Sequence, residues 1–64
     1  MEAIIKQLLA LEGNSFILMC IHDWIIHKMP HTEVISEIKS IAQDNPPMIE
    51  RILGTELFTQ IMSL

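Results

Sequence analysis

The stretch FILMCIHDWIIHKMPH, residues 16–31, decides how this chain of 64 residues can fold. Ten of its sixteen residues are apolar, and it also holds the only cysteine, the only tryptophan and all three histidines of the chain. On a helical wheel its apolar residues cover one broad face and much of the opposite side. A helix that is apolar nearly all round is buried on several sides. We therefore expect this segment to pack between its own chain and a second copy.

A symmetric dimer accounts best for the second apolar face, because a two-fold mate would bury it. Half of the residues are hydrophobic, which is more apolar surface than so small a monomer can hide. Small scaffolds usually need a disulfide, a metal or a partner subunit, and one cysteine cannot form an internal disulfide. The predicted dimer interface consists of Ile17, Met19, Ile21, Trp24, Ile25 and Ile26.

Helical spacing of apolar residues extends over nearly the whole chain, and no alternating strand pattern appears. Gly13 is a natural stop for a first helix, and Asn14 or Ser15 can cap a second. Pro30 ends that second helix, and Thr32 is a suitable cap for a third. The sequence therefore predicts one all-α domain, residues 1–64, with four helices at residues 2–12, 15–29, 32–43 and 46–63.

The stretch QDNPP, residues 43–47, is the strongest helix boundary in the chain. Asn45 can cap a fourth helix with Pro46 at its first position, where the missing N–H costs nothing. Beyond it the apolar residues stay in phase across Gly54. We therefore expect one helix to residue 63, with a bend at Gly54 and a fresh cap at Thr55 as the alternative.

Charge and hydropathy argue against nucleic-acid and membrane binding. The formal net charge is -4, whereas nucleic-acid binding draws most of its affinity from neutralised phosphates. The longest apolar run, residues 16–21, falls well short of the roughly 20 residues that a membrane span requires. The first residues lack the cationic start of a signal peptide. Since a lone thiol also fits a reducing compartment, we expect a cytoplasmic protein.

A polar line on the second helix offers weak candidates for chemistry. Cys20, Asp23 and His27 share one side, and His31 follows beyond Pro30; these residue types can bind zinc or another transition metal. Their spacing is not that of paired structural ligands. We therefore expect these residues to form the solvent-exposed polar side of a buried helix, and we expect no metal or other cofactor. His27 lies two turns from Cys20, about 10 Å along the axis, which is too far to activate it. We therefore expect no enzyme.

Two further patterns suggest a surface for another protein. Glu33 and Glu37 are like charges at i, i+4 on one exposed side, where they could attract a basic surface. Met48, Phe58 and Met62 lie off the main apolar stripe of the last helix and form a second apolar line. Methionine suits surfaces that repack around varied partners. The predicted partner-binding residues are thus Glu33, Glu37, Met48, Phe58 and Met62.

Size, charge and apolar excess together favour a small acidic protein-binding module that acts as a homodimer. Inhibitors, antitoxins, immunity proteins and secretion co-chaperones share this regulatory or adaptor profile. Two alternatives remain open: a purely structural self-assembling helical protein, and a metal-binding helical module that uses Cys20, Asp23, His27 and His31. The three histidines could also make self-association depend on pH, since imidazole titrates near neutrality.

Overall fold

Five short helices make up the protein, and no strand is present. The computed structural model describes residues 1–64, with α1 at Glu2–Ala10, α2 at Phe16–Ile26, α3 at His31–Asp44, α4 at Pro46–Leu53 and α5 at Thr55–Met62. The predicted all-α class is confirmed. The structure has five helices rather than the four that the sequence predicts, because residues 46–63 form two helices. The other boundaries differ from the predicted ones by at most three residues.

Gly54 breaks the last predicted helix. Its backbone lies at φ 90° and ψ 149°, a conformation that only glycine adopts without strain. The apolar phase continues across the break because α4 and α5 face the same core. Four residues at the helical spacing, two on each side of the break, are buried together: Ile49, Leu53, Leu57 and Ile61.

Local backbone chemistry explains the starts of α2 and α4. The Ser15 hydroxyl accepts a hydrogen bond from the Leu18 N–H at 3.4 Å, so one of the two predicted caps is confirmed. Pro46 occupies the first turn of α4 as predicted, but the Asn45 side chain makes no capping hydrogen bond. The two prolines that open α4 lack N–H groups and leave fewer donors for a cap to satisfy.

The start of α3 differs from the prediction. Thr32 lies inside the helix and does not cap it, because α3 begins at His31 with Pro30 in the cap position. The Pro30 carbonyl already accepts the N–H groups of the third and fourth residues after it, at 2.9 and 3.0 Å. The helical hydrogen-bond ladder therefore begins at the proline carbonyl, two residues before the Thr32 cap that the sequence predicts.

One cluster of twelve buried apolar residues holds the five helices together. No polar or charged residue is buried. α3 packs against α2, α4 and α5, and α1 packs against α2 and α5. The helix with the most apolar sequence, α2, contributes only Ile21 to this cluster. The members are Ile4, Ile5, Leu8, Ile21, Val34, Ile35, Ile38, Ala42, Ile49, Leu53, Leu57 and Ile61.

The lengths of the helices can be compared with the length that is needed to cross a membrane. The longest helix, α3, has 14 residues, and about 20 are needed to cross a bilayer. None of the five helices combines the length and the apolar content that a crossing demands.

We expect Gly54→Ala to destabilise the fold. The added Cβ would meet no atom within 4 Å, so the cost comes from the backbone conformation and not from a clash. Holding a residue with a Cβ in such a region costs about 1–3 kcal/mol. The free energy of unfolding, measured by urea titration with circular dichroism, should fall by this amount.

Ser40→Ala is the matched control, because Ser40 is an exposed residue within α3. Its stability should stay unchanged or rise slightly, since alanine favours helix. If Gly54→Ala were instead as stable as the wild type and more helical, α4 and α5 could merge, and the break would not be a requirement of the fold.

Candidate interaction surface

The side of α2 that faces away from the core is apolar and exposed. Leu18 and Ile21 are buried, at 3% and 0% exposure. Opposite them, Phe16, Met19 and Ile26 are 76%, 61% and 65% exposed. We call these last three residues the α2 edge. It is the largest group of exposed large apolar side chains on any one helix of the protein.

The α2 edge follows a regular spacing. Phe16, Met19, Asp23 and Ile26 are separated by three, four and three residues, which places them in one line along a helix. Asp23 is the single charged residue in this line. Its Oδ2 lies 3.7 Å from Nδ1 of His27, and both side chains are well exposed. An exposed pair of this kind contributes little to stability. Contact between this line and another surface would therefore cost the fold little, even if it disturbed the pair.

The structure divides the six residues predicted for the dimer interface. Met19 and Ile26 belong to the exposed α2 edge. Ile17, Trp24 and Ile25 are half-buried and pack against the core cluster.

Ile21 corrects the predicted interface. It is 0% exposed within its own chain, so it has no surface to offer a second copy. Phe16, which the predicted interface leaves out, is the most exposed large apolar residue of the protein. The signal that identifies Phe16 is its place in the three-four-three spacing with Met19 and Ile26.

His22 fixes α2 to α1. Its Nε2 lies 2.7 Å from the Leu8 carbonyl oxygen, so Nε2–H donates to that oxygen. Leu8 lies in the last turn of α1, where carbonyl groups lack helical partners; its oxygen also accepts the Leu11 N–H at 3.3 Å. His22 thus satisfies a helix end and holds the rotation of α2.

The candidate metal ligands do not gather into one group. Asp23 and His27 are neighbours, Cys20 is a half-buried free thiol, and His31 is exposed at the start of α3. The structure contains no cluster of three or more His, Cys, Asp or Glu side chains that could hold a metal ion. Seven residues of helix, about 10 Å, separate Cys20 from His27.

The two predicted partner-binding patterns have different exposure. Glu33 and Glu37 are both exposed on α3. Met48, Phe58 and Met62 are half-buried and pack against the core cluster. The acidic pair is therefore accessible, whereas the second apolar line offers less free surface than the α2 edge.

An open depression of about 410 Å³ lies between the end of α1 and the turn from α4 to α5. Glu56 is the one ionisable residue in its lining, and the neighbouring Thr55 hydroxyl donates to Oε2 of Glu50 at 3.1 Å. The lining residues are Gln7, Ala10, Leu11, Leu53, Gly54, Thr55, Glu56 and Leu57.

A strained turn ends α2 at the far end of the α2 edge. Lys28 has φ 65°, the only positive φ outside glycine. The Met29 N–H donates to the Trp24 carbonyl at 3.0 Å, and the Lys28 N–H donates to the Ile25 carbonyl at 3.1 Å. These are the two hydrogen bonds of a Schellman motif, whose left-handed position is usually glycine.

No protein-family model, curated protein or solved structure matches this chain.

We expect Lys28→Gly to stabilise the protein by up to about 1 kcal/mol. A left-handed residue with a Cβ costs roughly 1–2 kcal/mol, and the greater freedom of glycine in the unfolded chain offsets part of the gain. Lys28→Ala removes the same charge but keeps the Cβ, so it should bring no such gain. Urea titrations of both variants make the comparison. Equal effects of the two substitutions would mean that backbone strain at Lys28 is not a cost to the fold.

Proposed function

We propose that this chain is a small acidic module that binds another protein, regulates or adapts it, and works as a homodimer. The α2 edge carries the proposal. The core cluster closes without Phe16, Met19 and Ile26, which remain exposed. Apolar side chains grouped on a surface mark sites of protein association.

The charge of the chain favours a partner with a basic surface. The formal net charge is -4, and Glu33 and Glu37 project from exposed positions of α3. Complementary charge speeds encounter and suppresses wrong partners more than it adds affinity. An exposed acidic pair on α3 therefore suits a module that selects its target by charge.

Inhibitors, antitoxins, immunity proteins and co-chaperones are the kinds of regulatory protein that fit this description. The free thiol of Cys20 suits a reducing compartment, so we place the module in the cytoplasm. The rival proposals are a purely structural self-assembling protein, and a metal-binding module that uses Cys20 with Asp23, His27 and His31.

The first experiment is absolute mass by light scattering after size exclusion, over a dilution series with and without a metal chelator. A mass near twice 7.3 kDa that is the same with and without chelator supports the homodimer. A folded monomer at every concentration would contradict it. A mass or a helix content that falls in chelator and returns with added zinc would favour the metal-binding module instead.

We expect Ile26→Glu to convert the dimer into a folded monomer. A buried charge without a partner would oppose association, whereas in the monomer this position is exposed and tolerates it. Light scattering should give half the wild-type mass, with an unchanged circular dichroism spectrum. Leu9→Glu is the matched control, because Leu9 is an exposed apolar residue of α1. A dimer that survives Ile26→Glu but not Leu9→Glu would place the interface away from α2.

We expect the double change Glu33→Lys and Glu37→Lys to weaken partner binding at least about tenfold, because it sets like charges against a basic surface. The readout is the amount of each protein retained from a lysate of the source organism, compared between the immobilised wild type and each immobilised variant. The double change Glu2→Lys and Glu12→Lys is the control. Each pair replaces two negative charges with two positive ones, so both take the net charge from -4 to 0.

Equal losses in the two double variants would show that net charge, and not the α3 acidic pair, governs binding. If wild type retains nothing while its dimer is intact, the purely structural alternative is favoured.

A further inference from the structure

We infer that the second copy covers the α2 edge with its own α2 running antiparallel, and that the two-fold axis lies level with Ile21. This inference rests on the proposed homodimer and adds its orientation and register. The partner in question is another molecule of this chain, recognised by the side chains that the chain itself presents.

The spacing of the line on α2 is the first argument. Phe16 and Ile26 each lie five residues from position 21, and Met19 and Asp23 each lie two residues from it. The line is therefore symmetric about this level. A two-fold axis there sets the apolar ends against each other, Phe16 of one copy against Ile26 of the other. A self-complementary patch of this kind is what a two-fold interface requires.

Charge is the second argument, and it separates the two possible orientations. A parallel pair would set Asp23 directly opposite Asp23 of the second copy, and facing like charges oppose association. The antiparallel pair moves the two carboxylates four residues apart, about 6 Å along the axis. It sets each Asp23 against Met19 of the second copy while His27 remains 3.7 Å from Asp23 in its own chain. Opposed helix dipoles add to this preference.

Area shows what else the interface must contain. A stable interface buries about 800 Å² on each partner, roughly a fifth of the 4239 Å² that this chain exposes. A helix of eleven residues is only about 16 Å long, so the α2 edge cannot supply that area alone. The remaining surface of its half-buried neighbours adds to it: Ile17, Cys20 and Trp24.

Disulfide trapping between two single-cysteine variants tests the orientation. Met19→Cys and Asp23→Cys are each made in a Cys20→Ser background, mixed, and oxidised with diamide, which takes two electrons and two protons from each thiol pair. The antiparallel register sets positions 19 and 23 of different copies face to face, within disulfide reach. The mixed disulfide should then exceed either symmetric disulfide severalfold, well above the share expected from random pairing. Intact-mass spectrometry distinguishes the three products.

Two additional measurements guard against artefacts. Thr59→Cys in the same background is the control, because Thr59 is exposed on α5, a helix that packs mainly against α4 and α1. Its disulfide with Met19→Cys should be minor. A spin label on His27→Cys, made in that background, leaves the α2 edge intact. The two labelled positions should lie about 18 Å apart along the axis in the antiparallel pair, against about 10 Å in a parallel one.

Each outcome decides the inference. A dominant mixed disulfide with the longer label distance supports it. Dominant symmetric disulfides with the shorter distance overturn it in favour of a parallel pair and leave the proposed homodimer standing. A dimer mass with no trapping at either position moves the interface to another face and also overturns it. A monomer at all concentrations overturns the inference and the homodimer together, and leaves the α2 edge for a different protein.

Discussion

The burial of Ile21 sets the rotation of α2, and the rest of the surface follows from it. Ile21 is the only residue that α2 contributes to the core cluster. Since successive side chains turn by about 100° around a helix, holding Ile21 inward leaves the line from Phe16 to Ile26 outward. The neighbouring His22 secures this rotation through its hydrogen bond to the Leu8 carbonyl. The closed core and the exposed α2 edge thus both follow from the inward orientation of Ile21.

Helix content could be predicted because it follows from local chemistry. The apolar period, the Ser15 hydroxyl and the proline at position 46 act within a few residues of chain, and the structure bears out each of them. The break at Gly54 could not be predicted from the period, since two helices that face one core keep one phase. The start of α3 was set by a proline carbonyl, which a search for hydroxyl caps overlooks.

The candidate surface was only half predictable. A helical wheel shows that α2 is apolar on two sides, but it does not show which side the rest of the chain will cover. The wheel therefore predicts Ile21 at the interface, although the structure buries it in the core. The predicted interface does not include Phe16, although Phe16 is the most exposed large apolar residue of the protein. Only the packing of α1 and α3 against α2 distinguishes the two sides.

The shortness of the helices has a consequence for how the protein unfolds. Four of the five have eleven residues or fewer, and isolated helices below about 12–15 residues are marginal in water. These four helices are therefore expected to lose their backbone hydrogen bonds once the core opens, and α3, with 14 residues, is only marginally longer. Amide exchange and proteolysis should report a single opening event for the whole chain. Any protein that binds only the folded form will then slow both processes together, by mass action.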